Sequence, residues 1–149
     1  MNIFACIKQV PDTTTRIKLR GDGNGIDESD IQWIISPHDE LAIEEALRLR
    51  EQQPDSVVTV LSAGPERVTD SLRMALAMGA DRGILGGTDL RLEPLAVAKL
   101  LAAIAERESP DLIIVGKQAI DDDCNQTGQM LAALLGWGQG TFASGLEFG

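Results

Sequence analysis

Short apolar runs alternate with amphipathic stretches along this chain, and that alternation constrains its fold more than any other feature. Ile3–Ile7 (IFACI), Val57–Leu61 (VVTVL) and Leu112–Val115 (LIIV) are nearly unbroken apolar runs, as strands buried on both faces require. Arg82–Leu85 (RGIL) reads as a further short strand. Helical patterns lie between them. Ser36-Pro37 opens the first, since serine is a preferred N-cap and proline fits the first turn, where its missing N–H is not needed. Asp39 and Glu40 suit the positive end of the helix dipole. Leu41, Ala42, Ala46 and Leu49 form its apolar stripe, and Pro54 stops it near Gln52. Gly64-Pro65 starts a second helix, with Val68, Leu72, Ala75 and Leu76 on one face and Gly79 at its end. Pro94 opens a third, and residues 124–135 form a fourth with Met130, Leu131, Leu134 and Leu135 as its apolar face. Met74, Met78 and Met130 are read as core. Strands separated by helices of this length are βαβ units and predict a parallel sheet. Arg16–Arg20 (RIKLR) alternates with period two, which predicts a β-hairpin at one edge. A last strand is expected over Thr141–Phe148.

Charge and composition exclude several classes of function. With 13 basic against 23 acidic residues the net charge is −10, so phosphate backbones and anionic lipid surfaces are repelled at long range. The expectation is no nucleic-acid partner and no direct membrane insertion, because no apolar run approaches the ~20 residues that span a bilayer. The opening MNIFACIKQV lacks the charged and apolar regions of a signal peptide. Cys6 and Cys124 form no CxxC, and the single His38 does not complete a Cys/His zinc site. A reducing, cytoplasmic-type setting is expected.

Three strand-to-helix junctions are the candidate chemistry. The longest is Gly116-Lys117-Gln118-Ala119-Ile120-Asp121-Asp122-Asp123-Cys124-Asn125-Gln126-Thr127. In open α/β sheets ligands bind beyond the carboxyl ends of the strands, and free N–H groups at a helix start favour an anion. Asn125, Gln126 and Thr127 are candidates to present donors to a phosphate. Asp121, Asp122 and Asp123 either accept bonds from ribose hydroxyls and backbone amides or simply cap the helix and solvate the loop. An EF-hand fails, because Gln126 and Ala132 stand where Gly and Glu are required. A Walker A loop fails for want of its upstream frame, and no GxGxxG opens a helix. Ser62-Ala63-Gly64-Pro65 would let a ligand ring approach the backbone, or is an ordinary tight turn. Ser36-Pro37-His38-Asp39 is the third junction, where His38 either bonds a ligand or is a partly exposed helix-start residue. Cys124, read near a helix start, is a candidate thiolate, with an inert cysteine as the simpler reading.

GKQAIDDDCNQTGQM at 116–130, with QGTFAS at 139–144, MALAMGADRGI at 74–84, ELAIEEALRLRE at 40–51 and IKQVPD at 7–12, resembles the electron-transfer flavoprotein beta subunit family. The resemblance covers essentially the whole chain. It implies a parallel-sheet α/β nucleotide-binding fold, a three-layer sandwich of the adenine nucleotide alpha hydrolase-like type with a small β-hairpin near the N-terminus. It also implies a heterodimer with an alpha subunit. The pair shares one FAD, which takes electrons from flavin dehydrogenases such as acyl-CoA dehydrogenases and passes them through a quinone oxidoreductase to the respiratory chain, as in fatty acid beta-oxidation. The beta subunit of the ordinary branch holds a structural AMP, and Asp122–Gly128 resembles that branch rather than the electron-bifurcating one. Carried over by position, the AMP pocket includes Cys6, Ser36, Pro37, His38, Asp39, Ala63, Gly116, Lys117, Gln118, Asp121, Asp122, Asp123, Cys124, Asn125, Gln126 and Thr127.

The chain departs from the family pattern at Ser36, where Asn is common, at Thr13, where some members have an aromatic, and at Trp137-Gly138-Gln139. Family members continue past residue 149, so the expectation is a single adenine-nucleotide-binding domain over 1–149, truncated at its C-terminal end. It is an electron-carrier subunit rather than an enzyme, since no residue here is set for bond-making chemistry. A stand-alone adenine-nucleotide (ATP or AMP) stress-type module is the alternative. An adenylating ligase would need an SGGxDS-like loop, which is missing.

Overall fold

The computed structural model describes residues 1–147. Its elements are β1 (Asn2–Cys6), β2 (Gln9–Pro11), β3 (Trp33–Ile35), α1 (Pro37–Gln52), β4 (Val57–Gly64), α2 (Val68–Met78), β5 (Arg82–Gly87), α3 (Pro94–Glu108), β6 (Leu112–Val115) and α4 (Thr127–Leu135). The four long-range strands form a parallel sheet in the order β5-β4-β1-β6. β1 lies inside it, with Ile3 opposite Val58 on one side and Leu112 on the other.

The side chains of β1 alternate between two cores, as the two-residue period of a strand dictates. Ile3 and Ala5 pack with Ile43, Ala46, Leu72 and Ala75 under α1 and α2. Phe4 and Cys6 pack with Ala98, Leu101, Ile104 and Leu131 under α3 and α4. The result is a three-layer α/β sandwich. Each strand between two helical layers must be apolar throughout, which is why these segments read as unbroken runs.

Several expectations are corrected. β4 runs on through Gly64, and α2 begins at Val68 rather than at Gly64-Pro65. Gly64 sits at φ 152, a conformation that favours glycine, and a Cβ there would meet Val68 Cγ2 at 2.9 Å. α4 starts at Thr127 rather than residue 124, because Asp123 and Asn125 hold positive φ (52° and 49°) and cannot belong to a right-handed helix. The regular ladder of the small antiparallel ribbon pairs β2 with β3. The RIKLR segment contributes only the Leu19–Ile26 bridge. Arg67 ties the ribbon to the body, stacking 3.5 Å from the Trp33 ring centroid. Leu41 and Met74, read as core, are 67% and 48% exposed.

No strand forms over residues 141–147; Phe148 lies outside the described residues. Phe142 adopts φ 55, which breaks an extended run. Leu146 instead packs against the α1 core, with its N–H donating to Glu45 Oε1 at 3.1 Å and its carbonyl accepting from Arg48.

Candidate functional site

The carboxyl ends of β1, β4 and β6 open onto one cleft. Cys6, His38, Asp39, Ala63, Gly116, Lys117, Gln118, Asp122, Cys124, Asn125, Gln126 and Thr127 all line it. The whole cavity measures about 1410 Å³, more than the ~300–1,000 Å³ of an ordinary ligand pocket. The excess arises because it continues along β6 to Leu41, Glu44 and Arg48 of α1. The candidate site is the part at the strand ends.

Asp39 is the hub of that end. Its side chain is turned inward and only 5% exposed. Oδ2 accepts the N–H of Lys8, just past β1, at 2.8 Å. Oδ1 accepts the N–H of Gly116, just past β6, at 3.1 Å. The Ser36 N–H donates to the Lys8 carbonyl at 2.9 Å, and Ser62 Oγ donates to the Ile7 carbonyl at 2.7 Å. The exits of β1, β4 and β6 and the start of α1 are therefore stitched together. Gly116 is obligatory by space: a Cβ there would fall on the Asp39 carboxylate and within 2.7 Å of the His38 carbonyl. Burial pushes the Asp39 carboxyl up to about 7, against the two N–H donors and the Lys8 charge, which pull it down.

Residues 116–126 form the outer wall. The Lys8 ammonium bridges Asp121 Oδ1 at 2.7 Å and Asp122 Oδ2 at 2.8 Å. Asp122 Oδ1 accepts the Cys124 N–H at 3.0 Å, and Asp123 Oδ1 accepts from Gln118 Nε2 at 2.8 Å. Burial opposes ionisation of Asp122, but the Lys8 and Cys124 hydrogen bonds outweigh it and hold its carboxyl below the usual range. No side chain caps α4, so the donors of its first turn are left to other partners. Ser36 Oγ is fully buried without a hydrogen-bond partner.

Of the predicted residues, Ser36, Pro37, Asp121 and Asp123 do not line the cleft. Ser36 is buried behind it, and Pro37 is the exposed first residue of α1. Asp121 is taken up by Lys8. Cys124 is exposed and precedes α4 by two residues of loop, so no helix start lowers its pKa; desolvation and the Asp122 carboxylate push its thiol up. Cys6 is buried, its thiol pushed up to about 12 by burial and then by Asp39. Lys8 is a site residue that the sequence reading misses. The signal available was a lone cation immediately beyond a buried strand. Among the described residues no group of His, Cys, Asp and Glu is placed to hold a metal ion, and no helix is long and apolar enough to cross a membrane.

A profile of the electron transfer flavoprotein domain matches residues 23–149. The chain belongs to the electron transfer flavoprotein domain family. It is 53% identical over 147 residues to an electron transfer flavoprotein subunit beta of Bradyrhizobium diazoefficiens, covering 99% of this chain and 59% of that protein. The subunit beta of Dictyostelium discoideum is 46% identical over 147 residues, with the same coverage. The human subunit beta is 45% identical over 148 residues, covering 97% of this chain and 58% of that protein. The chain thus spans about three fifths of the length of the curated relatives it matches. The family match covers the ends of β4 and β6, Gly116 and the loop to Thr127, all of which lie within 23–149; β1 and Lys8 precede it.

Proposed function

We propose that this chain is the adenine-nucleotide-binding domain of an electron-transfer flavoprotein beta subunit, holding AMP in a structural role at the strand-end cleft. The observation that carries the reading is the convergence of strand exits on Asp39, which builds one cleft beside the uncapped start of α4. The donor set fits a nucleoside monophosphate. Asn125, Gln126 and Thr127 would hold the phosphate with N–H and side-chain donors. Cys6, His38 and Ala63 would form the wall nearest the base.

This chain alone is not expected to hold a whole FAD. Phe4 is in the core, Trp33 is covered by Arg67, and Trp137 and Phe142 are exposed. In the proposed heterodimer an alpha subunit holds the FAD, which supplies the electron-accepting chemistry, and this chain covers part of it. Electrons would come from flavin dehydrogenases, acyl-CoA dehydrogenases among them, and leave through a quinone oxidoreductase in a bacterial cytoplasmic setting. Affinity capture with mass spectrometry of bound nucleotide tests the reading. AMP, with an alpha subunit and FAD captured alongside, is the expected result. ATP without any partner would favour a stand-alone adenine-nucleotide module instead.

A further inference from the structure

We propose that Lys8 is a positioning residue of the cleft: it neutralises the Asp121–Asp122 pair and pins the loop carrying Asn125–Thr127, so that this loop accepts an anion. The inference rests on the AMP reading and deepens it. Three consecutive carboxylates, Asp121 to Asp123, stand within a few residues of the donors assigned to phosphate. Left alone, they would repel the ligand those donors attract. The Lys8 ammonium answers two of them directly. Burial works against its charge, but the hydrogen bonds to Asp121 and Asp122 outweigh it and hold Lys8 above its ordinary pKa. The third carboxylate, Asp123, accepts from the neutral Gln118 amide.

Lys8 is itself held from the buried side. Its N–H is bound by Asp39 and its carbonyl by the Ser36 N–H. Its side chain therefore connects the rigid strand end to a loop that has no other ion pair among the described residues. Asp122 passes the restraint on, because its second oxygen fixes the Cys124 N–H one residue before Asn125. Ion pairs this exposed contribute little to folding stability. The consequence of losing Lys8 is accordingly read in the field and order of the loop rather than in the fold. Lys117 does not substitute for it, since its ammonium lies against Gln118 and 5.2 Å from the Phe142 ring.

Calorimetric titration of the purified protein with AMP and with adenosine tests this, alongside Lys8→Met, Lys8→Arg and the triple variant Lys8→Met/Asp121→Asn/Asp122→Asn. Lys8→Met should weaken AMP about tenfold, the size of a charge interaction near a protein surface, and adenosine by less than about twofold. The AMP loss should shrink in about 0.5 M salt. Lys8→Arg should stay within about threefold of the native protein, because the guanidinium spans two carboxylates. The triple variant should recover most of the lost affinity. Unchanged AMP binding in Lys8→Met overturns the proposal. So does an equal loss for adenosine, or a triple variant no better than Lys8→Met. If the unsubstituted protein binds no AMP, the reading of the cleft itself falls, and this inference with it.

Discussion

Replacing Asp39 by asparagine probes the centre of the cleft. Two effects oppose each other there. Two N–H donors and a nearby ammonium favour the ionised carboxylate, while near-complete burial favours the protonated form. Burial wins, moving the group from 3.8 to about 7. Between about pH 4 and 7 the folded protein then keeps a proton that the unfolded chain has released. Protons bound in excess by the folded state make stability fall as pH rises through that window. At 1.36 kcal/mol per pH unit the whole interval is worth on the order of 4 kcal/mol. The amide introduced by Asp39→Asn cannot titrate, but its NH2 must face one of the two N–H donors, which costs about 1–3 kcal/mol. Urea unfolding of both proteins from pH 4.5 to 8 should therefore give two curves that converge or cross. The variant is the less stable at acid pH, and it gains on the native protein as pH rises. Cys6, Lys8 and Asp121 face Asp39 and are shared by both proteins, so the difference between the curves isolates the carboxyl. A difference that stays flat, or that grows in favour of the native protein with rising pH, would show that the N–H donors outweigh burial and refute the reasoning.

AMP should raise the unfolding free energy by about 2.7 kcal/mol at 100 times its Kd, and a melting temperature indifferent to millimolar AMP would count against the site. Asn125→Ala with Thr127→Ala should weaken AMP by about 1.5–3 kcal/mol for each bond lost to the charged phosphate, with adenosine much less affected; equal losses would move these residues to the base. Gly116→Ala should destabilise by about 1–3 kcal/mol through overpacking against the His38 carbonyl, and denaturation midpoints within error of the native protein would contradict that close approach. Without an alpha subunit the purified protein should be colourless, since half of a composite pocket still incurs the full association cost of about 4–15 kcal/mol; near-stoichiometric flavin absorbance after gel filtration would reverse this.

The layers were legible because strands buried on two faces tolerate few polar side chains. The apolar runs therefore marked β1, β4 and β6, and Pro37 and Pro94 marked two helix starts at the right residues. Errors fell where backbone conformation overrode composition. The positive φ at Asp123 and Asn125 postponed α4, and the extra length of β4 took Gly64, which the sequence reading assigns to a helix. Leu41 and Met74 match the helical period yet face outward. Of the site, the junctions were readable from strand-to-helix transitions. That the Asp39 side chain turns inward to bind two strand exits was not, because it depends on contacts between residues 31 and 77 positions apart. Lys8 went unread for the same reason, its partners lying 113 and 114 positions away.

The strand made first is also the one completed last. β1 sits between β4 and β6, so during synthesis its second edge waits until Leu112–Val115 has emerged. The cleft waits longer still, since its outer wall is supplied by residues 116–127. Any shorter nascent chain leaves the β1 edge open to pairing with another molecule, the hazard of every uncovered strand. Only a chain that has grown past Thr127 owns every strand-end wall of the cleft, so the nucleotide site proposed above could be complete only once the sheet has closed around its own first strand.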